Sequence, residues 1–284
     1  MRLWSKNQEI NFFKYAKNKT SRVQLFHKTL NDEYISYPTK AVNVVSNLHI
    51  RDVLFNDFSK NWLEDILINL VGDFEVVKNA EIPSIGISAK NQADLVISTS
   101  NSKVLSPKDV KAIFILKLSV VWNWKYNISS GSVEEIGDYR THLGKPSFTS
   151  SANILNAVDS CFKIRFSSKK AADIPLIVIG NTPMSNGFCR RADYLKSFGV
   201  IQGFWSLNPF PLQKPTRKTS KNRGFYRFDN SDELKNSLNQ LLNTDLKFIS
   251  AMKSKKELSE IIDLVNLENT GENKLSKFIS LINH

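Results

Sequence analysis

Two residues of this 284-residue chain stand where chemistry is conceivable: Asp94, near the start of NQADLVIS, and Lys117, inside the otherwise apolar run KAIFILKLSVV. Taking a lone ammonium out of water costs several kcal/mol unless a partner or a function holds it there. Read as a strand, Lys111 to Val121 puts Ile115, Lys117 and Ser119 on one face, with Phe114, Leu116, Leu118 and Val120 on the other. If Gln92 to Thr99 is a neighbouring strand, the Asp94 carboxylate lies beside that ammonium. Two readings stay open. One is a buried ion pair whose members merely offset each other. The other is phosphodiester hydrolysis, in which a carboxylate holds a hard cation such as Mg²⁺ against the scissile phosphate while an ammonium positions or deprotonates the attacking water.

The elements that must position this pair follow from periodicity. DFSKNWLEDILINLV, from Asp57 to Val71, places Phe58, Trp62, Ile66 and Leu70 at helical spacing and is followed by Gly72 as a stop. Strands are expected at Phe74 to Ala80, Gln92 to Thr99 and Lys111 to Val121. After a Ser-, Gly- and Asn-rich loop, VEEIGDYRTH is expected to be a short helix whose acidic start, Glu134 and Glu135, suits the helix dipole. SSANILNAVDSCFKIRF reads as a serine-capped helix, IPLIVIG as a strand buried on both faces, RADYLKSFG as a helix and VIQGFWSL as a further strand. From Ser231 onward the pattern is helical. The alternation predicts an α/β fold, a mixed central β-sheet flanked by helices, with an N-terminal extension over 1–50, a core over 51–212, and a basic segment and helical C-terminal extension over 213–284.

Composition narrows the partners. The net charge is +12, and QKPTRKTSKNRGFYRF gathers Lys214, Arg217, Lys218, Lys221, Arg223 and Arg227 without an acid among them. Such a segment suits phosphate contacts to a nucleic acid from a flexible loop, or is a solvated linker. No run of about 18 apolar residues is present, nor a secretory signal, so a cytoplasmic protein is expected. Cys161 and Cys189 make neither a disulfide scaffold nor a metal-ligand pair, and four scattered histidines make no zinc site, so any divalent metal should be held by oxygens. No glycine-rich nucleotide-phosphate loop exists. Trp122, Trp124 and Tyr126 are expected partly in the core, with base stacking as the other reading. His142 suits a phosphate contact or the surface, Asn181 a turn near the site, and Arg190 and Arg191 the start of a helix.

The order ADLV, turn, FILKLSVVWNW resembles the PD-(D/E)XK nuclease superfamily, in particular type II restriction endonucleases, and THLGKPSFTSSANILNAVDSCFKIR, IPLIVIGNTP and FGVIQGFWSLNP are similar to such an enzyme as well. The likeness runs from about Asp57 to Pro209. It implies a restriction-endonuclease-like core and a Mg²⁺-dependent endonuclease cutting double-stranded DNA at a specific site. Asp94 would ligate Mg²⁺ and Lys117 would address the water. By analogy, a homodimer cuts both strands, and a cognate DNA methyltransferase protects the host's sites. The motif departs at Ile115, where the second acid should stand, two residues before the lysine. Either that acid comes from elsewhere, with Glu135, Glu134 and Glu64 as candidate metal ligands, or the chain is an inactive DNA-binding protein on the nuclease scaffold.

Overall fold

The alternation that isolates Lys117 also builds the core. The computed structural model describes residues 3–39, 50–141, 143–207, 217–243 and 255–282. In chain order the elements are α1 (Lys6–Lys17), β1 (His27–Lys28), β2 (Tyr34–Ile35), α2 (Arg51–Ile68), β3 (Glu75–Ala80), β4 (Ala93–Ser98), β5 (Val110–Lys117), β6 (Asn123–Tyr126) and β7 (Val133–Gly137). Then come α3 (Ser151–Ser167), β8 (Leu176–Gly180), α4 (Asn186–Ser197), β9 (Gly203–Ser206), β10 (Phe225–Arg227), α5 (Ser231–Asn243), α6 (Lys255–Asn266) and α7 (Gly271–Ile282).

Six strands form the main sheet in the order β10-β9-β8-β5-β4-β3. β3, β4 and β5 are antiparallel neighbours, whereas β5, β8, β9 and β10 run parallel. Each face carries its own apolar cluster. Ala112, Phe114 and Leu116 of β5 join Phe12 and Phe13 of α1, Phe55, Leu63 and Leu67 of α2, and Leu234 and Leu238 of α5. Ile113 and Ile115 join Ile154, Ala157 and Cys161 of α3 and Cys189 and Ala192 of α4. The result is a mixed six-stranded sheet flanked by helices. β8 is buried at every residue, as expected of a strand covered on both faces.

A second sheet, β1-β2-β6-β7, is wholly antiparallel. Here the expected helix at 133–142 is replaced by a hairpin arm. β7 pairs Glu135 with Trp124 and Glu134 with Lys125, across a turn in which the Asn127 carboxamide accepts from the amides of Ser129 and Ser130. Gly131 takes the φ of +65° that closes the turn. α2 also starts earlier than its expected Asp57. Arg51 at its first turn donates to the Ser36 carbonyl and stacks on Tyr37, and the fully buried stripe is Phe55, Ser59, Leu63 and Leu67.

Residues outside 51–212 on both sides share this core. Leu3, Trp4 and Phe12 on one side of residue 50, and Phe228, Leu234 and Leu238 beyond residue 212, belong to the same apolar cluster as Phe114. α6 and α7 instead pack against each other through Ile261, Val265, Phe278 and Leu281. Among the described residues no helix is long and apolar enough to cross a membrane.

Candidate functional site

Antiparallel pairing of β4 with β5 sets Leu95 opposite Phe114, which brings the start of β4 to the end of β5. Asp94 and Lys117 therefore open on one cavity of about 640 Å³, continuous with solvent. Its walls come from the first turns of α2, the segment 118–120 beyond β5, Lys145, and Asn153 of α3. Asp94 is firmly held. Its Oδ2 accepts the Leu116 amide at 2.8 Å, and its Oδ1 lies 2.8 Å from the Lys60 ammonium. Lys60 also donates to Asn79 Oδ1 at 3.0 Å and is 11% exposed. The carboxylate thus pairs with Lys60 of α2 and not with Lys117, the partner expected of a buried ion pair; Lys117 lines the cavity.

Ile115 is 7% exposed and packs in the α3-side hydrocarbon cluster, so the position of the absent motif acid is filled by core. None of the three glutamates expected to replace it lines the cavity. Glu64 pairs with Lys78 of β3 at 2.8 Å. Glu135 pairs with Lys6, and Glu134 stands opposite Lys125, both in the second sheet. Asp57 and Asp52, on α2, are the carboxylates that share the cavity with Asp94. Helical spacing was the available signal: Asp57 lies one turn before Lys60, but reading it as the helix start concealed it.

The wall beyond β5 is clamped from two sides. The fully buried Asn181 accepts from the Ser119 amide at 3.1 Å and donates to the Ser119 carbonyl at 2.7 Å; it fixes the site's wall and does not cap its own turn. Glu9 of α1, also fully buried, accepts from the amides of Val121 and Trp122 at 2.6 and 3.1 Å and from the indoles of Trp4 and Trp124 at 3.2 and 2.8 Å. Burial outweighs these donors and pushes the Glu9 carboxyl up to about 7. Trp122 and Trp124 are accordingly core residues. Tyr37 lines the cavity, but burial raises its phenol to about 12, so it stays protonated at neutral pH and serves as no base. Cys161 and Cys189 are buried thiols raised to about 12 and about 11.

From Arg217 on, the basic segment is tied to the main sheet. From Thr219 it returns as a bridge to Tyr226 and ends in β10, the edge strand of the main sheet. Lys218 is neutralised by Asp229 and Glu233, each at 2.6 Å, and buried Arg227 by Asp229 at 2.9 Å. Arg217, Lys221 and Arg223 are exposed, and none of the three lines the Asp94 cavity. Lys214 and His142 lie outside the described residues. Arg190 and Arg191 sit within α4, not at its start.

Oxygen donors are the right chemistry for Mg²⁺, which commonly takes one or two protein carboxylates and fills its remaining positions with water and substrate phosphate. Asp94 and Asp57 both line the cavity, and among the described residues no three acidic, histidine or cysteine side chains converge as a ready-made metal cluster. Comparisons of the chain with family models, with curated proteins and with solved structures gave no match.

Proposed function

We propose that this chain is a site-specific, Mg²⁺-dependent endonuclease of double-stranded DNA, built on a restriction-endonuclease-like core of the type II kind. The observation that carries the reading is the joint opening of Asp94 and Lys117 on one solvent-reachable cavity lined by two further carboxylates. Asp52, Asp57 and Asp94 line the cavity beside Lys117 and Lys145, and Lys60 already offsets the Asp94 charge. Asp94 and Asp57 would hold Mg²⁺, which supplies charge neutralisation at the scissile phosphate. The Leu116 amide fixes the orientation of the Asp94 carboxylate. Lys117 orients the attacking water, and Lys145 adds a phosphate contact at the rim. Dimerisation, with one site per strand, and a companion methyltransferase belong to this proposal by analogy.

A second reading, a DNA-binding protein that does not cut, is favoured by Ile115 in hydrocarbon and by the lysine already on Asp94. One assay separates them. Mixed-sequence plasmid is incubated with the protein and Mg²⁺ or Mn²⁺, beside Asp94→Ala and Lys117→Ala. Discrete fragments from the parent protein alone support the endonuclease; a gel shift without cutting supports the binder; neither result from folded protein ends both.

A further inference from the structure

A smaller cavity of about 230 Å³ lies at the other end of the sheet. Lys117 of β5 aligns with Gly180 of β8 and Gly180 with Ser206 of β9, so the Asp94 cavity sits at the carboxyl ends of the parallel strands. The second cavity is lined by Gln202 and Arg223, which immediately precede and closely precede β9 and β10, and by Trp205, Tyr226 and residues of α5. It also contains Lys196, and its lining has no carboxylate.

The cations are held there by construction. The turn before β10 is pinned to α4 by the Asp193 carboxylate, which accepts Ser220 Oγ at 2.5 Å and the amides of Asn222 and Gly224 at 3.1 and 2.9 Å. A Cβ on Gly224 would meet the Ala192 backbone at 2.3 Å, so the turn cannot lift away cheaply. Arg223 takes a left-handed φ of +57°, uncommon for a side chain of its size, and its guanidinium stands 5.2 Å from the Tyr226 ring centre. Lys196 donates to the Arg223 carbonyl at 3.3 Å. Burial, with Arg223 beside it, holds the Lys196 ammonium below the usual lysine range. Asp193, committed to the turn, still acts electrostatically on Lys196 but does not line the cavity.

Two cations on the lining of a small, carboxylate-free cavity call for an anion, and the half-buried Tyr226 beside the 7%-exposed Trp205 gives that lining aromatic character. The volume, below the roughly 300–1,000 Å³ typical of sites for drug-sized ligands, encloses part of a nucleotide and leaves the rest in solvent. We propose that this cavity binds a single nucleotide, its phosphate at Lys196 and Arg223 and its base against Trp205 and Tyr226. The nucleotide is either free or the 5′-phosphorylated end of a strand. The proposal is independent of whether the Asp94 cavity cuts DNA.

Titration calorimetry of the full chain with deoxyadenosine monophosphate tests it, beside Lys196→Gln, Arg223→Gln and Lys117→Ala, each checked for an unchanged melting temperature. Binding should weaken about tenfold in either of the first two variants and stay unchanged in Lys117→Ala. Deoxyadenosine and inorganic phosphate should each bind at least about tenfold more weakly than the nucleotide. A 5′-phosphorylated single-stranded oligonucleotide identifies the source: tighter binding than the monophosphate, lost in Arg223→Gln, points to a strand end, and equal binding to the free nucleotide. No heat at millimolar nucleotide, or binding lost in Lys117→Ala and retained in Arg223→Gln, overturns the proposal. If Arg223→Gln unfolds, Lys196→Gln with Tyr226→Leu decides by the same criterion.

Discussion

At the scale of single residues, the departure at Ile115 and the ion pair at Asp94 act on the same reaction. An ammonium 2.8 Å from Asp94 Oδ1 competes with any cation for that oxygen. Lys60→Ala should therefore bind Mn²⁺ about tenfold more tightly than the parent chain, read by electron paramagnetic resonance of free Mn²⁺. Unchanged binding would show that Asp94 is not a ligand. Asp57→Asn should lower cleavage by about 100-fold or more, whereas Glu64→Gln, whose carboxylate is spent on Lys78, should stay within about threefold. Equal losses in the two variants would return the missing acid to Glu64. The pairing of Lys60 with Asp94 could not be read from spacing alone, because the contact joins α2 to β4 and depends on how the helix crosses the sheet. That Asp94 and Lys117 open on one cavity was readable, since strand alternation and one antiparallel neighbour bring the start of β4 to the end of β5.

At the scale of elements, strands with strong β-branched runs and helices with serine caps were legible: Ser150 does cap α3, accepting from the Asn153 amide. β7 was not, because the periodicity of VEEIG over five residues is too short to separate a strand from an acidic helix start, and pairing with β6 decides it. Nor was the role of α1. Glu9 ties that helix to residues 121–124, directly after the cavity wall, so the site's geometry is linked to a carboxyl that titrates near 7. The native state keeps its proton up to about 7, whereas the unfolded chain releases it near 4.5. Between those values the folded state binds more protons, so stability is full below the unfolded value and falls as pH rises through the window. At about 1.36 kcal/mol per pH unit the loss amounts to roughly 3 kcal/mol. Urea unfolding at pH 5 and pH 8 should show it. In Glu9→Gln the slope should vanish, while the NH2 of the carboxamide, facing two N–H donors it cannot accept from, costs about 1–3 kcal/mol at both pH values. A slope that persists in the variant would assign it to other groups.

At the scale of the molecule, elements on both sides of the expected boundaries at 50 and 212 share one apolar cluster, and β10 shares the main sheet. β10 and α5 were placed in a tail because the basic run QKPTRKTSKNR looks like a linker, yet Phe225 and Phe228 immediately after it are fully buried. β10 completes the main sheet beside β9, and Leu234 and Leu238 of α5 cover its α2-side face. α6 and α7 bury Ile261 and Val265 chiefly against each other, which is the signature of a separate helical hairpin. Removing 244–284 should then leave the melting temperature within about 4 °C, because among the described residues no core side chain of the main sheet is lost. Removing 217–284 exposes the β9 edge and deletes Phe225, Phe228, Leu234 and Leu238 together. At about 2–5 kcal/mol for each large apolar side chain taken from a core, the four together cost about 8–20 kcal/mol, as much as the roughly 5–15 kcal/mol by which a domain of this kind is stable. The shorter product should be unfolded by circular dichroism, and a cooperative thermal transition from it would show that the main sheet ends stably at β9 without β10.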